Sequence, residues 1–440
     1  MSTPTWQPQR RRRHTARIIV YSLVIIACIG TAYVLGRFDK LNEAFSPGSA
    51  QTGTIKAGDL IAIDEVKVLQ APEAANLIRE NYGALTPQVS TAVTKATFHY
   101  RSRTPSGAWV TVYGRAYLPA SPATNLPVYA FAPGTTGIGD KCAASLEQPH
   151  IANWANYDSH LTAYAVQGMA VVTTDYEGMR DPTRPHHYMV GELEGRALLD
   201  AVRALESLPV AKDRLNLTNL YTGGYSQGGH AALWADKIAS EYAPDLKIKG
   251  VIGYGPVMSV KTTLADVTHG ANINWFGPYV VYSYRDYYRT AYPLGEMLTS
   301  KVVSGLDADV PNHCIDTDIP FWGRTPAGVY TPEFIKTLAD NNWVGTQYEE
   351  FGKQMDLNAV GSLPTASAKL INTGALDNVV LATQQTAGTS QLCATSSGPV
   401  RQVVYPKANH YDTMLQSYQD TLAFMRTLNA GEKPNPTCLP

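Results

Sequence analysis

Six short apolar runs recur along the chain: "LPVYAFAPG", "GMAVVTTDYEG", "NLYTGGYS", "IKGVIGYGPV", "AKLINTGALD" and "QVVYPKANH". Such runs, closed by glycine, proline or asparagine, read as strands buried on both faces. Segments of helical period lie between them. In the clearest, "GELEGRALLDAVRALESLP", Leu193, Ala197, Ala201, Leu205 and Leu208 recur at intervals of three or four and Pro209 stops the run. Strands alternating with such helices require a mainly parallel sheet with helices on both faces. Upstream, "ATFHYRSRT" and "AWVTVYGRAYLPA", joined at "PSG", alternate like an antiparallel pair. The expected fold is an α/β layer with an antiparallel start, and 440 residues that are 44 % hydrophobic and 17 % charged can fill its core.

One spacing breaks the rhythm. About a hundred residues separate the strand ending near Pro256 from the one at Ala368, far beyond an ordinary crossover. This aromatic insert, with Trp275, Phe276, Tyr279, Tyr284 and Trp343, is expected to form a largely helical cap over 257–363, inserted into a core of residues 57–256 and 364–440.

Export is expected from the amino terminus. A basic stretch (1–17) precedes an uncharged apolar run, 18–36, just long enough to cross a bilayer, and a Gly/Ser/Pro-dotted tether over 37–56 follows. The arginines keep the leading end cytoplasmic. An uncleaved signal anchor is favoured over a cleaved signal peptide or a lipoprotein leader ending at Cys28, because the run continues eight residues past that cysteine. Arg10, Arg11, Arg12, Arg13, Arg17 and Arg37 are all the basic residues before position 38, so the remainder carries an acidic excess and nothing invites nucleic acid. Cys142, Cys314, Cys393 and Cys438 are an even set suited to two disulfides in an oxidising compartment, with three pairings open.

The candidate chemistry centres on Gly224-Tyr225-Ser226-Gln227-Gly228, the one G-x-S-x-G in the chain. A strand precedes it and a helical stretch follows, the setting of a nucleophile elbow: a serine in a strained turn, small neighbours, and helix amides facing a developing oxyanion. A hydrolase of this layout places its acid and histidine after the serine. His410 is the only histidine beyond the insert, and Asp377 the only acid between the strand "AKLINTG" and the run before His410. Both follow strand ends, where such sheets carry their chemistry. The expected triad is Ser226, Asp377 and His410. The oxyanion amides are expected at Gln227 and at Thr135, in the glycine-rich loop "FAPGTTGIGDKCAAS".

Other polar residues fit the chemistry less well. His230, one helical turn after Ser226, is expected to pack under the elbow, and the adjacent His186 and His187 form a poor pair for one metal. Asp307 with Asp309, and Asp316 with Asp318, offer too few oxygens for calcium. No motif asks for a cofactor or a metal.

Taken together, "APGTTGIGDKCAAS", "TTDYEGMRDPTRPHHYMVGELEGRALLDAVRAL", "GGYSQGGHAALWA", "TGALDNVV" and "ANHYD" resemble the secretory lipases of fungi and actinobacteria, the fungal lipase A type of α/β-hydrolase. The likeness covers most of residues 95 to 425, strongest around the serine and weakest in the insert. It implies an esterase or lipase acting on acyl esters through the triad and oxyanion residues above. It also implies bridges Cys142–Cys314 and Cys393–Cys438. The rival readings are an acyltransferase with the same triad acting on envelope lipids or sugars, a serine peptidase, and an inactive membrane-anchored binding protein.

Overall fold

The computed structural model describes residues 54–148, 154–315, 322–323 and 325–438. The basic stretch, the apolar run 18–36 and most of the expected tether lie outside these residues. So do Asp316 and Asp318.

Nine strands form one sheet: β1 (Leu60–Leu69), β2 (Val93–Arg103), β3 (Trp109–Pro119), β4 (Leu126–Ala132), β5 (Ala170–Thr174), β6 (Leu215–Tyr225), β7 (Ile248–Tyr254), β8 (Ala368–Gly374) and β9 (Val400–Tyr405). Their order is β1-β2-β3-β5-β4-β6-β7-β8-β9. The pairs β1–β2, β2–β3 and β3–β5 are antiparallel. Every pair from β5–β4 onward is parallel. The antiparallel start and parallel body match the expectation, and the arrangement is an α/β-hydrolase fold.

Before the insert stand helices α1 (Ala71–Tyr82), α2 (Tyr157–Ala165), α3 (Gly191–Ser207) and α4 (Gln227–Tyr242). Between β7 and β8 follow α5 (Val260–Ala265), α6 (Phe276–Tyr287), α7 (Leu294–Met297), α8 (Ser300–Asp309), α9 (Pro326–Val329), α10 (Pro332–Asp340) and α11 (Glu349–Leu357). The chain closes with α12 (Ala382–Thr395), α13 (His410–Gln416) and α14 (Tyr418–Asn429). Burial of apolar side chains sorts these into layers. Val128, Ala130, Val172 and Val251 face α3 and α4 through Leu198, Leu205, Ala231 and Leu233. Tyr129, Phe131, Val171 and Ile252 belong with α1, α2 and α14 through Ile78, Leu161, Leu422 and Phe424. A third cluster joins Phe276, Tyr279, Tyr284, Tyr330 and Phe351 of the insert to Ile138, Tyr188, Met189, Leu193, Val257 and Val380.

Candidate active site

The serine of the G-x-S-x-G pentad sits where β6 stops and α4 starts. Ser226 has φ 57° and ψ −114°, a backbone state that costs a non-glycine residue of order 1–3 kcal/mol and persists only when surroundings enforce it. Here they do. Its N–H donates to the Tyr254 carbonyl at 2.9 Å, and its own carbonyl accepts from Gly229 (3.0 Å), His230 (3.3 Å) and Val257 (3.3 Å). Gly228 lets the turn close on β4: a Cβ there would lie 1.8 Å from the Ala132 oxygen.

Asp377 and His410 meet beside it. His410, the first residue of α13, directs Nδ1 to Asp377 Oδ2 at 2.7 Å. Asp377 Oδ2 also accepts from Gln385 Nε2 (3.0 Å), while Oδ1 accepts the Val379 and Val380 amides, both at 2.9 Å. A carboxylate so engaged can only accept, which assigns the Nδ1 hydrogen to His410 and leaves Nε2 as a lone pair. Gly255, with φ 54°, is the joint between the residues: a Cβ on it would come within 2.9 Å of His410 Nδ1 and 3.2 Å of Asp377 Oδ2. The preceding residue, Tyr254, is the one that accepts the Ser226 amide. The Tyr225 ring lies 4.8 Å from the imidazole. Ser226 and His410 are each 8 % exposed.

The loop after β4 comes to the same place. Gly134 donates to Tyr157 Oη at 2.8 Å, Tyr176 Oη donates to the Pro133 carbonyl at 2.5 Å, and Thr135 Oγ1 lies 2.7 Å from Tyr188 Oη. A Cβ on Gly134 would lie 2.9 Å from the Tyr225 oxygen, so the loop rests against the elbow. Downstream it is stapled to the insert. Cys142 is bonded to Cys314, Gly137 forms a bridge with Cys314, and Ile315 donates to the Thr136 carbonyl at 2.9 Å. The second disulfide joins Cys393 to Cys438. Both pairings are those implied by the resemblance.

Gln227 opens α4, so its N–H has no carbonyl within the helix to bond. Its side chain is fully buried and points away from the serine, Nε2 donating to Glu194 Oε1 (2.8 Å) and lying 2.9 Å from His186 Nε2. His230 packs under the elbow as expected, with Nδ1 2.7 Å from Glu194 Oε2 and Nε2 2.6 Å from the Asn358 carbonyl. His186 is buried, which holds its basicity below the ordinary range, whereas His187 is held between two carboxylates, Glu177 at 2.8 Å and Asp286 at 2.9 Å. Among the described residues no group of three or more His, Cys, Asp or Glu could hold a metal ion.

Sequence reasoning passed over Tyr157, Tyr188, Tyr225, Gln385 and Glu194. Only Glu194 left a trace, as an acid on the buried Glu194, Ala197, Leu198, Ala201 stripe of α3. The tyrosines and Gln385 act through tertiary contacts that no local spacing announces.

The secretory lipase family model matches residues 156–433, more than half of the chain. The chain belongs to the secretory lipase family. Among relatives, lipase A of Moesziomyces aphidis is 30 % identical over 190 residues, 39 % of this chain and 37 % of that protein. For the first three curated relatives the matched part spans 37 %, 23 % and 52 % of their lengths. Two solved structures share the fold. The rice cell wall degrading esterase LipA from Xanthomonas oryzae superposes with a TM-score of 0.68 at 17 % identity, covering 86 % of this chain and 100 % of that one. Candida antarctica lipase A in its closed state gives 0.63 at 19 %, covering 90 % and 87 %. Within the described residues of this family member no helix is long and apolar enough to cross a membrane.

Proposed function

We propose that this secretory lipase family member is a serine hydrolase of carboxylic esters, with lipid or other acyl esters as substrates. The observation that carries the reading is the His410–Asp377 pair, with its Nδ1 hydrogen committed to the carboxylate, next to a serine held in a strained elbow. In the proposed cycle Ser226 Oγ attacks the ester carbonyl carbon as His410 Nε2 takes its proton. The tetrahedral oxyanion is met by the N–H groups of Gln227 and Thr135. Collapse breaks the C–O bond to the alcohol, which leaves with the proton from His410, and water then attacks the acyl-enzyme with His410 again as base.

Residues 257–363 act as the cap in this reading. The acyl chain is assigned to the cap's apolar cluster because that cluster includes Ile138 of the oxyanion loop and Val380, three residues past Asp377. The family's secretory character, the two disulfides and the arginine-flanked run 18–36 support a catalytic domain outside the cytoplasm, tethered through that run.

The test is incubation of the full chain, in detergent, with a fluorophosphonate probe and with p-nitrophenyl esters from acetate to palmitate. Label on Ser226, and turnover that falls to background in Ser226→Ala, are the expected results. A folded Ser226→Ala protein that keeps most of its turnover overturns the mechanism.

A further inference from the structure

Three histidines, His186, His187 and His230, have no part in the cycle above, and two of them converge on one carboxylate and one amide. Glu194 is fully buried on α3. Its Oε1 accepts from Met189 N (3.1 Å) and from Gln227 Nε2 (2.8 Å), and its Oε2 faces His230 Nδ1 at 2.7 Å. The other nitrogen of His230 donates to the Asn358 carbonyl, so a proton must also lie between His230 and Glu194. His186 completes the cradle. Its Nδ1 faces the Glu177 carbonyl at 3.0 Å, which leaves Nε2 to accept from Gln227 Nε2. The His186 ring is stacked on Tyr176.

Packing alone does not call for this arrangement. Gln227 Oε1 is buried without a partner among the described residues, and a buried ion pair is often no more stabilising than apolar residues of the same volume. What the cradle does achieve is to fix the Gln227 side chain from two sides, and with it the orientation of the peptide that joins Gln227 to Ser226. An oxyanion donor is worth most when it is held in place before charge develops.

We infer that Glu194 is a positioning residue: together with His186 it holds the Gln227 side chain so that the Gln227 N–H is aimed at the oxyanion, and His230 holds Glu194. The inference rests on the ester-hydrolase reading and deepens it. Gln227→Ala keeps the backbone N–H but removes the tie. With p-nitrophenyl butyrate and the full chain, kcat falls about 10- to 100-fold while KM stays within about twofold, because the lost interaction belongs to the transition state. The rate of inactivation by a tetrahedral phosphonate falls in parallel. Glu194→Gln keeps an oxygen for Gln227 and Met189 and donates to a neutral His230, so it retains kcat within about threefold. Glu194→Ala loses as much as Gln227→Ala, and the double variant loses no more than either single one, since both break one link.

If Glu194→Ala fails to fold, Gln227→Ala and Glu194→Gln decide the matter. A folded Gln227→Ala protein with kcat within twofold of wild type overturns the inference, as does a loss carried by KM. Wild type and Ser226→Ala run alongside. No turnover, or turnover that survives Ser226→Ala, sinks the hydrolase reading and the inference with it, whereas turnover abolished by Ser226→Ala but untouched in Gln227→Ala sinks the inference alone.

Discussion

A side chain at position 228 would have to displace backbone, the Ala132 oxygen lying 1.8 Å and the Pro133 oxygen 2.7 Å from where its Cβ would be. Gly228→Ala is therefore expected to destabilise the fold by more than about 3 kcal/mol, read from the midpoint of urea unfolding, before any effect on catalysis is measured. Asp377→Asn makes the opposite kind of lesion. Its side-chain oxygen can still accept the Val379 and Val380 amides, so the loop survives. Its amide, however, presents a donor to His410 Nδ1, turning the imidazole to the tautomer that lacks a free Nε2. The expected outcome is a folded protein with kcat lower by about 10³- to 10⁴-fold.

Between elements, the contact most sensitive to conditions is His187, which links the Glu177 loop to Asp286 on α6, with Arg184 on the first carboxylate and Arg289 on the second. Burial opposes the imidazolium, but the hydrogen bonds and charges of Glu177 and Asp286 outweigh it, and the pKa of His187 is raised. Burial likewise opposes the Glu177 carboxylate, yet His187 and Arg184 bring its pKa below the ordinary value. The histidine's contribution is thus complete below about pH 6.5 and is lost as pH rises through its raised folded value. The carboxylate's contribution is complete above about pH 4.5 and is lost as pH falls through its lowered one. His187→Gln should cost most near pH 5.5 and progressively less above pH 7, a trend that thermal melts of both proteins across pH will display. The same scale shows what was legible. β2 to β9 declared themselves as alternating or continuous apolar runs and α3 by its period. β1 is half-exposed and mixed in character, and α2 is buried on every side, so neither carries a stripe to read. Ser226, Asp377 and His410 stood out because strand ends and chain order isolate them. Glu194 and the tyrosines did not, because their partners lie on other elements.

Over the whole molecule, the insert's apolar cluster is shared with elements outside it. Tyr188, Met189 and Val190 before α3, Leu193 in its first turn, and Val380 beyond β8 are buried with the insert's rings. Residues 257–363 expressed alone should consequently lack a cooperative melt and near-ultraviolet dichroism, whereas a segment that melts cooperatively by itself contradicts this account of its core. The two disulfides also divide the labour. Cys142–Cys314 spans 172 residues and ties the loop after β4 to the insert, while Cys393–Cys438 spans 45 and ties α12 to the carboxyl-terminal tail. Serine substitution of the first pair should lower ester turnover and melting temperature together, and of the second mainly melting temperature. The order of pairing has a further consequence. Among the four cysteines of the described residues the first joins the second and the third joins the fourth, and a domain that leaves a membrane pore from its amino-terminal side presents those thiols in just that sequence. In the exported form proposed above, each of these four thiols captured by the next to emerge yields the native set, so maturation requires an oxidant at the exit and no enzyme to reshuffle wrong bonds.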